Sequence, residues 1–142
     1  MPSILRVADI CHQRGIEFSN SEERIYQGGP LAGDAVTMLH TPEWYSRNTT
    51  TAGPDYLLSS DYDMFEKIAE GNAPVYWRCF AGIASWAPGQ LDMELAGDFP
   101  YKSENSWLIA DANDDILFEY EGYDQWEQAI ELASRQMIDS LF

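Results

Sequence analysis

The sequence predicts a mixed α/β (α+β) fold, a mixed sheet of about five or six strands with about three or four flanking helices. Three observations carry that expectation. Residues Val75 to Ala84 form the longest apolar run, with Val75, Trp77, Cys79, Ala81 and Ile83 on one strand face and Tyr76, Phe80, Gly82 and Ala84 on the other. Only Arg78 interrupts it, which is the pattern of a central strand covered on both faces. Tyr123, Trp126, Ala129, Ile130, Ala133, Met137 and Leu141 recur at helical spacing and predict a final helix from about Tyr123 to Leu141. Between these two signals and before them, short extended runs alternate with helical ones, and no internal repeat or low-complexity tract intervenes.

Taken in order, Ser3 is a candidate cap for a first helix with the stripe Ile4, Leu5, Ala8 and Cys11, stopped at Gly15. Arg24 to Gln27 reads as a strand closed by Gly28, Gly29 and Pro30, a tight reversal that returns the chain to a partner strand, Ala35 to Leu39, after a loop from Leu31 to Asp34. Glu43 to Pro54 reads as a long exposed loop. Tyr56 to Ser59 is a further strand, and Ser60 or Asp61 caps a helix from Tyr62 to Glu70 that points Met64, Phe65 and Ile68 inward. Pro88 fits the first position of a short helix running to Leu95, where a missing N–H costs nothing. Ser106 to Ala110 and Ile116 to Tyr120 read as extended, separated by a turn at Asp111 to Asp115.

At 142 residues the chain is most simply one domain, residues 1–142, long enough to bury roughly two-thirds of the surface of its unfolded form. Cys11 and Cys79 both lie in apolar patterns, as reduced buried thiols do, and no run reaches the length of a membrane span. A cytoplasmic location is expected. The chain carries 24 acidic and 8 basic residues, a formal charge of -16. Asp92 to Glu131 holds 12 of those acids and a single base, Lys102. Such a field disfavours direct binding to a nucleic-acid backbone, and no membrane partner is expected of a chain without a spanning run. It suits solubility, or a protein partner with a basic surface.

Candidate chemistry is sparse. His12 and His40 are the only histidines, and zinc-site, CxxC and EF-hand spacings are absent. No metal or cofactor is expected. His40, beside Thr41 and Glu43, is a candidate general base with Cys79 as nucleophile, but no spacing links the two, and a structural histidine hydrogen-bonded to a loop is the simpler reading. The Gly28-Gly29-Pro30 turn lacks the Lys and Ser/Thr of a phosphate loop. Asp61 with Asp63, and Asp111 with Asp114 and Asp115, have spacings that suit a divalent cation, yet carboxylates at these places also cap helices and turns. The start Pro88-Gly89-Gln90 offers free N–H groups to an anion, although Asp92 and Glu94 already compensate a helix dipole there. Trp44 and Tyr45, in a polar loop, are the expected exposed contact residues.

These motifs together resemble the YqgE/AlgH family. The matching elements are Gly28, Gly29 and Pro30; His40 and Thr41; Gly82, Ala84, Trp86, Gly89, Gln90, Leu91 and Glu94; and Asn105 and Trp107, with Leu117, Phe118 and Trp126 continuing the match. The resemblance implies a mixed sheet bent toward a pseudo-barrel, no transferable catalytic residues, and a role for which some members are named as transcriptional regulators. Relative to that family the chain is shortened at its N-terminus, and the sheet edge left uncovered predicts a homo-oligomer or hetero-complex. A shortened, strongly acidic relative also suits a phage or mobile-element protein recruited to host machinery.

The leading functional expectation is a non-enzymatic regulatory or adaptor protein, linked to transcription. Its contacts would come from Trp44, Tyr45 and the acidic set Asp111, Asp114, Asp115, Glu119 and Glu121. The alternative is a small-molecule-binding protein or hydrolase with a pocket formed by Gly28, Gly29, Pro30, His40, Thr41, Trp86, Gly89 and Gln90.

Overall fold

In the computed structural model, which describes residues 2–18, 22–98 and 107–141, six strands form one mixed sheet. They are Pro2–Arg6 (β1), Arg24–Gln27 (β2), Leu31–His40 (β3), Thr49–Ala52 (β4), Tyr56–Ser59 (β5) and Trp77–Ile83 (β6), side by side in the order β1-β2-β6-β3-β5-β4. The sheet is open, with β1 and β4 at its edges. β6 occupies a central position, as its apolar run requires. It runs parallel to β2, with Ile25 opposite Cys79, and antiparallel to β3, with Met38 opposite Cys79 and His40 opposite Trp77. β5 continues from β3 through Met38 opposite Ser59, and β4 pairs with β5 over Thr49 to Ala52.

Two helices, Val7–Gln13 (α1) and Asp63–Ala69 (α2), pack on the face that carries Ile25, Met38 and Cys79. Val7 and Cys11 from α1, and Met64, Phe65 and Ile68 from α2, complete the buried cluster with Trp44. Each large side chain fully buried here contributes roughly 1.5–3 kcal/mol through the water it sheds. On the other face Arg78, itself buried, stacks with its guanidinium carbon 4.3 Å from the Tyr26 ring centre, and Tyr26 lies 6.1 Å from Phe80. Burial pushes the carboxyl of Glu23 up, and the Arg78 charge partly offsets this.

The chain divides into two compact units, Met1–Ala84 and Ser85–Phe142. The sheet, α1 and α2 belong to the first. The second holds two helices, Gln90–Ala96 (α3) and Gly122–Asp139 (α4), and a π-helical turn at Asp115–Glu119.

Several local expectations change. The first helix starts at Val7, because residues 2–6 extend along β2 and the Asp9 carboxylate takes the Arg6 N–H at 2.9 Å to open the helix there. Ile4, expected on the helical stripe, is fully exposed on edge strand β1. The reversal expected at Gly28-Gly29-Pro30 does not pair β2 with β3; β6 lies between them. β3 begins at Leu31 and absorbs the expected loop as an irregular stretch with Ala32 at φ 49°. Pro88 precedes the left-handed Gly89 that caps α3, so it stands outside the helix. Residues 107–110 are not a strand, and Ser106 lies outside the described residues. Ile116 to Glu119 is helical because the Asn113 side chain takes the Ile116 N–H at 2.9 Å and the Asp115 carbonyl takes the Tyr120 N–H at 3.2 Å. The central strand, β5, α2 with its three inward residues, and the final helix stand where the sequence put them.

Candidate functional site

His40 ends β3 with no exposed surface. Its Nδ1 lies 2.8 Å from the Thr41 carbonyl oxygen, which can only accept, so Nδ1 carries the proton. Nε2, 2.8 Å from Ser59 Oγ, is then the acceptor of the Ser59 hydroxyl in the neutral ring. Ser59 Oγ in turn sits 2.7 Å from Thr49 Oγ1, which also takes the Ser46 N–H at 2.8 Å. The line Thr49, Ser59, His40, Thr41 carbonyl thus ties β4, β5 and β3 together. The Trp44 ring stands edge-on to His40 at 5.0 Å, and its Nε1 donates to the Asn72 carbonyl at 3.0 Å.

Around this line the loop after β3 is held by two carboxylates. Glu43 Oε1 accepts the Thr41 hydroxyl at 2.7 Å and the Val75 N–H at 2.5 Å. Desolvation pushes its carboxyl up, but these bonds, with the nearby His40 as a minor contribution, outweigh it and hold it below the ordinary range. Asp61 takes the Ser46 hydroxyl at 2.7 Å, the Asn48 N–H at 2.8 Å and the Met64 N–H at 3.0 Å, which joins the loop to the start of α2. Desolvation again acts upward; the three donors, and behind them Lys67, prevail, and Asp61 also lies below its usual value. The capping role read for Asp61 is therefore realised.

The arrangement has the bonding order of a nucleophile and its base, Ser59 to His40, but both residues have no exposed surface, so an acyl substrate has no route to the hydroxyl in this conformation. The pairing considered from sequence, His40 with Cys79, is not made: His40 spends both nitrogens on Thr41 and Ser59. Cys79 is fully buried, and burial drives its thiol far upward, away from the reactive thiolate, with smaller contributions from Glu23 and Cys11. Cys11 is likewise free, buried and pushed up by desolvation. Among the described residues no group of three His, Cys, Asp or Glu side chains is placed to hold a metal ion.

The glycine motif has a different explanation. A Cβ on Gly28 would overlap the Gly82 carbonyl oxygen, one on Gly29 would overlap the Ile83 carbonyl group and the Ala84 nitrogen, and one on Gly82, at φ +80°, would overlap the Gly29 carbonyl oxygen. The segment leaving β2 therefore crosses the end of β6 backbone against backbone, and only glycine permits that approach. Pro30 follows at the bend that opens β3.

Thr41 is buried and its N–H donates to the Tyr76 carbonyl at 3.1 Å. Trp44, expected as an exposed contact, is only 6% exposed, because the loop folds back over the core. Tyr45 is exposed as expected, with Lys67 Nζ donating to its carbonyl at 3.0 Å.

In the second unit, Gln90 spends its side chain locally: Oε1 takes the Ala87 N–H and Nε2 donates to Glu94, both at 3.0 Å, while Gly89 supplies the left-handed cap. Trp86 meets Trp107 at 6.4 Å between ring centres. Asp111, Asp114, Asp115, Glu119 and Glu121 are all exposed. The Asp111 carboxylate receives Gln136 Nε2 at 3.0 Å, and Gln136 Oε1 receives the Asp111 N–H at 3.0 Å. Ser59 and Thr49 are the residues the sequence reading missed. An inward-facing serine in a short apolar strand was their only signal, and the register that brings Ser59 to His40 is a tertiary fact.

A six-stranded mixed sheet with α1 and α2 on one face, and with its motif histidine sealed by hydrogen bonds, defines a small α/β protein. The chain belongs to the AlgH-like family, whose model matches residues 1–138. It is 33% identical over 120 residues to a UPF0301 protein of Marinomonas sp., covering 82% of this chain and 60% of that one. A UPF0301 protein of Gluconobacter oxydans is 34% identical over 124 residues, covering 86% and 63%. The solution structure of the AlgH protein from Pseudomonas aeruginosa superposes with a TM-score of 0.73 at 27% identity, over 92% of this chain and 67% of that one. The chain therefore spans about three-fifths of the length of the two sequence relatives, which are 60% and 63% covered. Among the described residues no helix is long and apolar enough to cross a membrane.

Proposed function

We propose that the chain acts through contacts with a protein of basic surface, as a regulatory or adaptor protein linked to transcription, rather than as a hydrolase. The observation that carries this reading is the burial of the motif: His40 and Ser59 have no exposed surface, and Gly28, Gly29 and Gly82 are spent on a backbone crossing. The chemistry-bearing residues of the first unit are thus committed to packing, whereas the second unit presents exposed carboxylates at Asp111, Asp114, Asp115, Glu119 and Glu121. A field of one sign raises encounter rates with a partner of the opposite sign and repels nucleic acid.

The test is quantitative affinity capture from the native cell, comparing the wild type with a variant in which those five residues become Asn or Gln. The reading expects the neutralised variant to lose the specific partners, with far-UV circular dichroism unchanged. An identical partner set in both would refute it.

A further inference from the structure

We infer that a trough along α4 takes a basic amphipathic helix of a partner protein, an inference that rests on the protein-contact reading above and names the site and the shape of the partner. Two adjoining hollows, of approximately 480 and 450 Å³, share Leu108 and Asp111 as lining. One extends over Leu117, Trp126 and Ile130, and the other over Met137. From Trp126 to Met137 the floor is roughly 16 Å long at 1.5 Å per helical residue, which accommodates about three turns of a second helix. Trp126 and Met137 are 59% and 55% exposed, so apolar anchors stand open at both ends.

Charge selects the occupant. Asp115 and Glu119 stand on the turn that carries Ile116 and Leu117, and Glu127 and Glu131 follow Trp126 and Ile130 on α4; all four are exposed. From Ser85 onward the sequence holds thirteen acidic residues against Lys102 and Arg135 alone. A second copy of the chain would bring the same excess of acid to the trough, and an anionic membrane is repelled for the same reason. Strand addition is excluded by the local structure, because the described residues of the second unit contain no strand whose edge is open. A helix with apolar residues at i, i+3, i+4 and i+7 and Lys or Arg on its flanks satisfies both the floor and the rim.

The probe is a synthetic 18-residue Leu/Lys peptide with its leucines on one helical face, titrated calorimetrically into the full chain. Two controls accompany it: the same composition scrambled so that no face is apolar, and a Leu/Glu counterpart. The amphipathic basic peptide is expected to bind at least about ten-fold more tightly than either control, and Trp126→Ala or Met137→Ala to weaken it by about ten-fold, as truncation of an interface anchor does. Both substitutions fall on exposed side chains, and circular dichroism verifies that the variants fold. Equal binding of the scrambled peptide, or unchanged affinity in both variants, overturns the inference. If the scrambled peptide binds equally while partner capture still depends on the five carboxylates, the helix is refuted and the protein-contact reading survives. Charge-independent capture together with specific peptide binding refutes the reading and leaves the trough.

Discussion

Removing the Ser59 hydroxyl tests whether the buried histidine is a structural lock. Ser59→Ala leaves His40 Nε2, which has no exposed surface, without its donor at 2.8 Å, and removes the 2.7 Å contact to Thr49. Thr49 lies nearer solvent and can turn its freed hydroxyl proton to the Ser46 carbonyl, 3.1 Å away, so most of the cost falls on the imidazole. An unsatisfied buried acceptor plus the lost bond amounts to about 2 kcal/mol. His40→Ala removes two buried bonds and the ring beside Trp44, which together cost about 3–5 kcal/mol. The double variant breaks the shared bond only once, so the cycle should return a coupling of about 1–2 kcal/mol. Urea unfolding, followed through the exchange of the β3 amides, reads these values for the first unit specifically. A cost below about 0.5 kcal/mol for Ser59→Ala, or additivity within that error, would refute the lock.

Other outcomes follow from the same packing and hydrogen bonds. Gly29→Ala should destabilise by more than about 2 kcal/mol or prevent soluble expression, while Gly33→Ala, with nothing within 4 Å of its added methyl, should stay within about 0.5 kcal/mol by thermal melting. Asp61 is depressed in the fold, so its stabilisation is complete above the ordinary carboxyl value and is lost as pH falls through its lower folded value. Asp61→Asn should therefore remove that part of the acid sensitivity in a melting series from pH 7 to about pH 3. Trp44→Phe loses the bond to the Asn72 carbonyl and part of a buried ring in the core cluster, and should cost about 1–3 kcal/mol in urea unfolding. Cys11 and Cys79 should resist a thiol reagent at neutral pH until the chain unfolds, with modification rates that track denaturant.

Where local pattern and tertiary demand agreed, the fold was legible. The run through β6 marked a central strand: β2 and β3 flank it, and its Cys79 face joins the buried cluster under α1 and α2. α2 was legible because Met64, Phe65 and Ile68 have helical spacing and Asp61 has a cap's chemistry. The failures share a cause. β1 carries no periodic signal, since it is an edge strand whose Ile4 faces solvent. The parallel union of β2 with β6 joins segments more than fifty residues apart, and the chain between them gives no local sign of it. Trp44 sits in a polar stretch, and its burial follows from a bond to the distant Asn72 carbonyl and an edge-on contact with the His40 ring. Of the candidate site, the family motif was readable but its role was not. Gly28, Gly29 and Gly82 make sense only once the crossing brings them together.

Partner contacts depend either on the buried motif or on the acidic face of the second unit. One measurement separates them directly, quantitative partner capture from the native cell with three versions of the chain: wild type, Ser59→Ala, and the variant neutralised at Asp111, Asp114, Asp115, Glu119 and Glu121. The account predicts that Ser59→Ala, at equal folded amount, keeps the wild-type partners while the neutralised chain loses them. Partners lost with Ser59→Ala but retained by the neutralised chain would contradict it.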